Sequence, residues 1–522
     1  MWEIYIPGST VKGAFRKRAS QLLKTLWGDS TKTTLILNRL FGEQGSRGLV
    51  YFSDACLPDP RVSGRSWCSM DGVKMDPATG CPIEEAKADY LFAFGKDLSF
   101  NLQLDIQDLS AKDMEAFSIL VHLLDDFRKG DIPLGGEKTC GFGWVKGVTN
   151  NIHWITGEPP EQDSVGRKLF GKPTNARDGI WYSLTLQGET AGEALQGTAL
   201  ALETKQDLGS PPRAKQGFIS HSAFGGYCGV LAIAGEVLTP LCVKESGEPS
   251  FVHVPDDPSM GCINGWEPFA MTSPEADLRD PSRLYALPSK SIKGMIRHLY
   301  AIASDSCKAS PDISRLNPAD SLFGWVGNGP NQAIMGRLGF GFAPFENAQT
   351  AWFKVPYPYG MWHYVNGRWE MNPDRQAAVL QIAGQWRLFP HAPLAPCVTR
   401  LDAFQPDTPK AGYIKAILPG GQCRVSLRFW NLEKEELQKL LWCVALEQGL
   451  AHKMGGGRYL GFGSLRLKIL PESFLTDWAT RYSGKGDKDH AGQLPINLGE
   501  WINPKVIQHY PELRKALDAQ RI

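Results

Sequence analysis

The feature that most constrains this chain is a motif written twice. Ile6-Pro7-Gly8-Ser9-Thr10-Val11-Lys12-Gly13-Ala14-Phe15-Arg16 returns as Leu287-Pro288-Ser289-Lys290-Ser291-Ile292-Lys293-Gly294-Met295-Ile296-Arg297. Pro7 and Pro288, Lys12 and Lys293, and Arg16 and Arg297 are each 281 residues apart. Such a repeat implies two related domains, and 522 residues exceed one ordinary core in any case.

The motif reads as an extended segment stopped by proline. A helix follows, with Ser9 or Thr10 as N-cap and Ser291 in the second copy. Val11, Phe15, Leu22 and Leu26 fall near helical spacing on one face, while Lys12 and Arg16, four apart, share another. A helix N-terminus with small residues ahead of it and a lysine in its first turn offers free N–H groups to an anion, phosphate above all. The competing reading is a capped amphipathic helix with a solvated basic face.

Two more blocks recur. Leu40-Phe41-Gly42, then Arg47 to Ala55, is echoed by Leu322-Phe323-Gly324, then Gly336 to Phe342. Leu134-Gly135-Gly136-Glu137-Lys138-Thr139-Cys140-Gly141-Phe142-Gly143 is echoed by Met454-Gly455-Gly456-Gly457-Arg458-Tyr459-Leu460-Gly461-Phe462-Gly463. Gly135 and Gly455 are 320 residues apart, as are Gly141 and Gly461, so the second domain carries an insertion, placed at 346–420. A glycine loop lets backbone N–H groups approach a phosphate chain. Lys138, Lys453 and Arg458 beside the glycines favour that reading, and tight hairpin packing is the alternative.

In order, the chain reads as a first domain over 1–149, a connection over 150–225, a second domain over 226–475 and a polar tail over 476–522. Residues 56 to 97 read as loop-rich, with Val73 to Gly80 as a strand end and turn; Phe100 to Ile106 reads as a strand, and a helix follows from a cap near Ser110. The second domain opens with a strand at Val230, Ala232 and Ala234, and Asn431 is the expected cap of its last helix. Each domain then reads strand, helix, strand, strand, helix, strand. The class is α+β: two tandem ferredoxin-like (RRM-like) domains with long loop insertions, the first strand of copy one missing. The loop before the second motif carries Asp256, Asp257, Asp277 and Asp280, and the insertion crowds Trp352, Tyr357, Tyr359, Trp362, Tyr364 and Trp369.

Lys+Arg of 56 against Asp+Glu of 55 leaves a net charge of +1, so a nucleic-acid surface must be a local, salt-sensitive patch. Eleven cysteines without a CxxC pair suit reduced thiols in a cytoplasm, against a disulfide scaffold or a zinc ribbon. No signal peptide or apolar run long enough for a membrane span is present in the sequence.

The ordered set Pro-Gly-Ser-x-x-Lys-Gly-x-x-Arg, Leu-Phe-Gly, Phe52-Ser53-Asp54-Ala55, Asp76-x-x-Thr79-Gly80 and Gly-Gly-x-x-x-x-Gly-Phe-Gly resembles the RAMP-type backbone subunits of type III CRISPR effector complexes. Two such domains in one chain resemble the fused backbones of type III-D and III-E systems. Trp362 to Trp369 and Ala451-His452-Lys453 are similar to the last backbone domain of III-E effectors. The resemblance implies a subunit that grips guide RNA and lets it pair with target single-stranded RNA among other effector subunits. It assigns guide-phosphate contacts to Ser9, Lys12, Arg16, Lys290, Lys293 and Arg297, and to the loops at Gly135, Gly136 and Lys138 and at Lys453, Gly455, Gly456, Gly457 and Arg458. In cutting members an aspartate before the repeated helix cleaves target RNA with a divalent metal. Asp277 and Asp280 hold that place here, with Mg2+ as the ion, and solvated loop acids as the plainer reading. The zinc-binding cysteine clusters of III-E effectors are missing, so no structural zinc is expected. Two alternatives stand beside this reading: a metal-independent nuclease that processes the guide precursor through His298 or His452, and a protein-only assembly module.

Overall fold

Val11, Phe15, Leu22 and Leu26 are at most 1% exposed, and they seat the first long helix of the computed structural model. The structure describes residues 4–57, 67–75, 82–94, 98–156, 182–204, 208–244, 249–255, 261–271, 283–346, 348–356, 362–371, 380–383, 385–483, 490–520 and 522. Helix α1 (Gly8–Trp27) packs on α2 (Thr31–Phe41). Neither Ser9 nor Thr10 caps α1. Pro7 holds the N-cap position, its carbonyl accepting from the N–H groups of Thr10 and Val11, while the Gly8 N–H donates to Asp54 Oδ1 at 2.7 Å. A carboxylate from a neighbouring turn has replaced the hydroxyl.

Strand β1 (Val50–Phe52) is followed by β2 (Trp67–Met75) and β3 (Pro82–Ala93), a long hairpin, and by β4 (Leu104–Ile106), which pairs antiparallel with β1. The hairpin corrects the reading of 56–97 as loop-rich. Pro82 to Ala93 lacks apolar alternation, and the strands are held from outside instead: Met70 and Phe92 pack with Phe142 and Phe342, Phe92 lying 5.0 and 5.5 Å from their ring centroids. Helix α3 (Met114–Arg128) follows a short turn opened at Ser110.

The second unit begins with β5 (Tyr227–Val237) and continues through α4 (Ser289–Ala303), α5 (Pro318–Phe323), β6 (Leu338–Phe340) and β7 (Ala343–Glu346). Pro288, not Ser291, is the N-cap of α4. Next come β8 (Thr350–Pro356), β9 (Ala411–Ile417), β10 (Gln422–Leu432), α6 (Lys434–Ala445) and β11 (Ser464–Ile469). In the main sheet β5 is central, with β10 on one side and β11 on the other. Strands β6 and β7 take the far edge of β10, and every pairing among these five is antiparallel. Leu231, Ile233, Val425, Leu427, Leu465 and Leu467 share one buried core with Ile292, Ile296 and Leu299 of α4 and Leu437, Leu440 and Leu441 of α6. Glu433 caps α6 through a reciprocal box with Glu436. Asn431 instead sits at φ 59°, fully buried, its amide donating to the carbonyls of Ser220 and Ala223. Strands β8 and β9 join three short strands at 251–253, 263–266 and 399–401 in a second, five-stranded sheet, where Trp352 packs among Phe251 and Phe404.

The polar tail straps both units. Helix α7 (Trp478–Arg481) and Tyr482 enter the core of the first unit, and α8 (Tyr510–Leu517) places Leu513, Ala516 and Leu517 in that of the second. Where they meet, Arg18 Nε lies 2.6 Å and Arg481 Nη2 2.7 Å from opposite oxygens of Asp126, and the Tyr482 hydroxyl donates to Asp126 at 2.8 Å. Asp131 pairs with Arg481 and with Arg428 of β10.

Burial of Asp126 opposes its charge, yet Arg18 and Arg481 hold the carboxyl well below the usual range. A carboxylate of lowered folded pKa stabilises fully above its unfolded value of about 4 and loses that contribution as pH falls toward the folded one. Asp126→Asn leaves the Arg18 guanidinium buried without its acid and Arg481 with Asp131 alone, and is expected to cost about 3–5 kcal/mol, read from the urea midpoint at pH 7. The same variant should also flatten the acid limb of stability below pH about 4.

Candidate nucleic-acid interface

Helix α1 turns Lys12 and Arg16 toward an open concavity completed by Gly42, Arg47, Gly48 and Tyr51. Arg16 Nη1 donates to the Gly42 carbonyl at 2.8 Å, which fixes the helix against the Leu-Phe-Gly turn. Arg47 lies 5.9 Å from the Tyr51 ring centroid. Arg47 and Tyr51 were missed as site residues, although both belong to the repeated block. The concavity thus sets three cations and an aromatic ring beside one acid, Glu43; the cations and the ring are the elements that hold phosphates and stack a base. Ser9 is exposed, and the helix end beside it is already satisfied by Asp54, which sequence spacing did not reveal because it lies 46 residues away.

The second copy of the motif faces the first unit. Ser289 Oγ donates to the Cys140 carbonyl, Lys293 Nζ reaches Thr139 Oγ1 at 3.0 Å, and Lys290 lies 3.3 Å from Glu137 and 3.2 Å over the Tyr90 ring. The first glycine-rich loop is therefore seated on the N-terminus of α4. Arg297 pairs with Asp320 of α5 at 2.5 Å, as Arg16 anchors its own turn. Gly135 and Gly136 stand in open space at the loop's tip, and Lys138 is partly buried, its pKa lowered by desolvation and by Lys17.

The two loops close identically and differ at their tips. A Cβ on Gly143 would sit 1.8 Å from the Leu134 carbonyl oxygen, and one on Gly463 would sit 1.9 Å from that of Met454, so the hairpin admits only glycine there. In the second loop the Gly456 N–H donates to the Cys242 carbonyl at 2.8 Å, and a Cβ on Gly455 would meet the same oxygen at 2.4 Å. Gly457 holds φ 67° beside the Phe462 ring. Lys453 Nζ donates to Ser464 Oγ at 3.1 Å, and Arg458 lies 4.5 Å over the Phe389 ring. Among the described residues neither cation has an acid partner. Burial first and Arg458 second push Lys453 down to about 7, and burial lowers Arg458 as well.

Asp277 and Asp280 lie outside the described residues, as do Asp76, Thr79, Gly80, Asp256 and Asp257. Among the described residues no three His, Cys, Asp or Glu side chains gather in a metal-binding group. His298 and His452 each turn Nε2 to a backbone carbonyl, of Arg387 at 3.0 Å and of Cys443 at 2.9 Å, and burial lowers both pKa values. Such rings hold the chain and are poor proton donors at neutral pH. No described helix is long and apolar enough to cross a membrane.

A lysine whose folded pKa is lowered destabilises the fold while it is charged, and the cost disappears as pH rises from about 7 toward the ordinary value of about 10.4. Lys453→Met is expected to raise the melting temperature most near pH 7 and to lose that advantage by pH about 10. Paired thermal melts across this range check it.

Residues 3–146 match the family model for RAMPs, the RAMP superfamily. No curated protein matches the chain. Among solved structures, the crystal structure of Csc2 from Thermofilum pendens is similar at 11% identity over 56% of this chain and 88% of that one, with a TM-score of 0.26. The chain thus carries a RAMP-superfamily domain over residues 3–146.

Proposed function

We propose that this chain is a guide-RNA-binding backbone subunit of a type III CRISPR effector complex, built of two tandem ferredoxin-like units. The observation that carries the proposal is the junction between the repeats. The glycine-rich loop of one seats on the helix N-terminus of the next through Glu137, Thr139 and Cys140 against Lys290, Lys293 and Ser289. A contact between unlike faces of like units can be continued, which is the geometry a backbone needs. The strand order around β5 supports the ferredoxin-like reading of the second unit, and the RAMP match supports the family reading of the first. Lys12, Arg16 and Arg47 with Tyr51 then form the guide-contacting surface. Guide RNA, target single-stranded RNA and neighbouring effector subunits are the partners of this reading.

The test is single-stranded RNA binding by the whole chain as a function of salt. Lys12→Ala with Arg47→Ala is expected to weaken binding to all sequences alike and to flatten the plot of log affinity against log salt by about 1.4, two contacts at about 0.7 each. An unchanged slope overturns the assignment of the surface. Metal-dependent target cleavage is the further part of the reading, and Asp277→Ala with Asp280→Ala is expected to abolish cleavage in Mg2+ while RNA stays bound.

A further inference from the structure

A cavity of about 130 Å³ lies between the two units, behind α1 and apart from the Lys12 groove. Trp144 and Trp430 wall it. Their indole N–H groups are spent on the Lys138 carbonyl at 2.9 Å and on His221 Nδ1 at 2.8 Å, so what they contribute to the cavity is apolar ring surface. Lys17 and Lys138, both lining residues, have no acid partner among the described residues. Arg481, whose side chain is 6% exposed, also lines the cavity, and its Nε is buried without a hydrogen-bond partner. A buried donor left unpaired costs stability in the empty protein, and exposed Lys17 repels half-buried Lys138, whose charge desolvation already disfavours.

We infer that this cavity binds a pyrimidine nucleotide, its ring between the tryptophans, a ring carbonyl accepting from Arg481 Nε and its phosphate between Lys17 and Lys138. The size fits one six-membered ring, since a cavity of about 150 Å³ takes benzene. Two unpaired cations match a phosphate monoester of about −1.5 to −2 better than a single carboxylate. The nucleotide comes either free or as the end of an RNA strand. The inference stands apart from the guide surface, because none of its three donors lies in that groove.

The test is calorimetric titration of the whole chain with uridine 5′-monophosphate, with inorganic phosphate and with uridine. The monophosphate is expected to bind at one site, at least tenfold more tightly than either of the others. Lys17→Met with Lys138→Met should weaken it at least tenfold while the ligand-free melting temperature holds or rises, because two repelling charges are gone; a merely structural pair would melt lower. Lys12→Ala with Arg47→Ala should bind the monophosphate as the parent does, so failure of the guide surface and failure of this site are told apart. Competition by 5′-phosphorylated hexauridylate assigns the site to a strand end, and its failure to compete assigns it to the free nucleotide. No saturable binding, phosphate binding as tightly as the monophosphate, or wild-type affinity in the lysine double variant overturns the inference.

Discussion

The arrangement of the two units depends on one sealed ion cluster. Asp126 at the end of α3 takes Arg18 from α1 and Arg481 from the tail, and Asp131 extends the cluster to Arg428 on β10 of the main sheet. Charges this deeply buried are tolerated only when each has its partner, so the cluster enforces one register between helix, sheet and tail. Trp478 stacks 4.2 Å from Phe224 over the same place, and the Arg18 guanidinium lies 4.8 Å from that phenyl ring, which covers the cluster with aromatic surface.

Given that register, the repeated motif serves two ends. In the first unit its lysine and arginine face an open groove, and its helix end is closed by Asp54. In the second unit the same lysine position is taken up by the neighbouring repeat, with Lys293 on Thr139 and Lys290 between Glu137 and Tyr90. The arginine is the constant part, tying its helix to the helix that follows, through the Gly42 carbonyl at the end of α2 in one copy and through Asp320 of α5 in the other. The glycine-rich loops diverge in the same way: the first reaches across to another unit, while the second folds back on Cys242 and keeps Lys453 and Arg458 half-buried, with no acid partner among the described residues.

Much of the second unit was legible because alternation and helical spacing are local signals. Val230, Ala232 and Ala234 mark β5, Cys423 to Phe429 mark β10, and Leu437, Leu440 and Leu441 mark the buried face of α6. What escaped the sequence depends on distant partners. Asp54 closes a helix 46 residues away, the hairpin of β2 and β3 is held by Phe142 and Phe342, and the tail reads as polar because its few apolar residues are spent on two separate cores. Asn431 resembles a helix cap, but its side chain is used on the segment before β5, and Glu433 two residues on takes the cap. In the groove, the repeat pointed to Lys12 and Arg16, whereas Arg47 and Tyr51 join them only through the fold.

The most direct measurement is ultraviolet crosslinking of the whole chain to a 4-thiouridine-substituted single strand, with the attached peptides mapped by mass spectrometry. The proposed backbone role predicts crosslinks concentrated on peptides carrying Lys12, Arg47 and Tyr51. Crosslinks confined to the insertion or the tail, or none above a protein that binds no RNA, would contradict it.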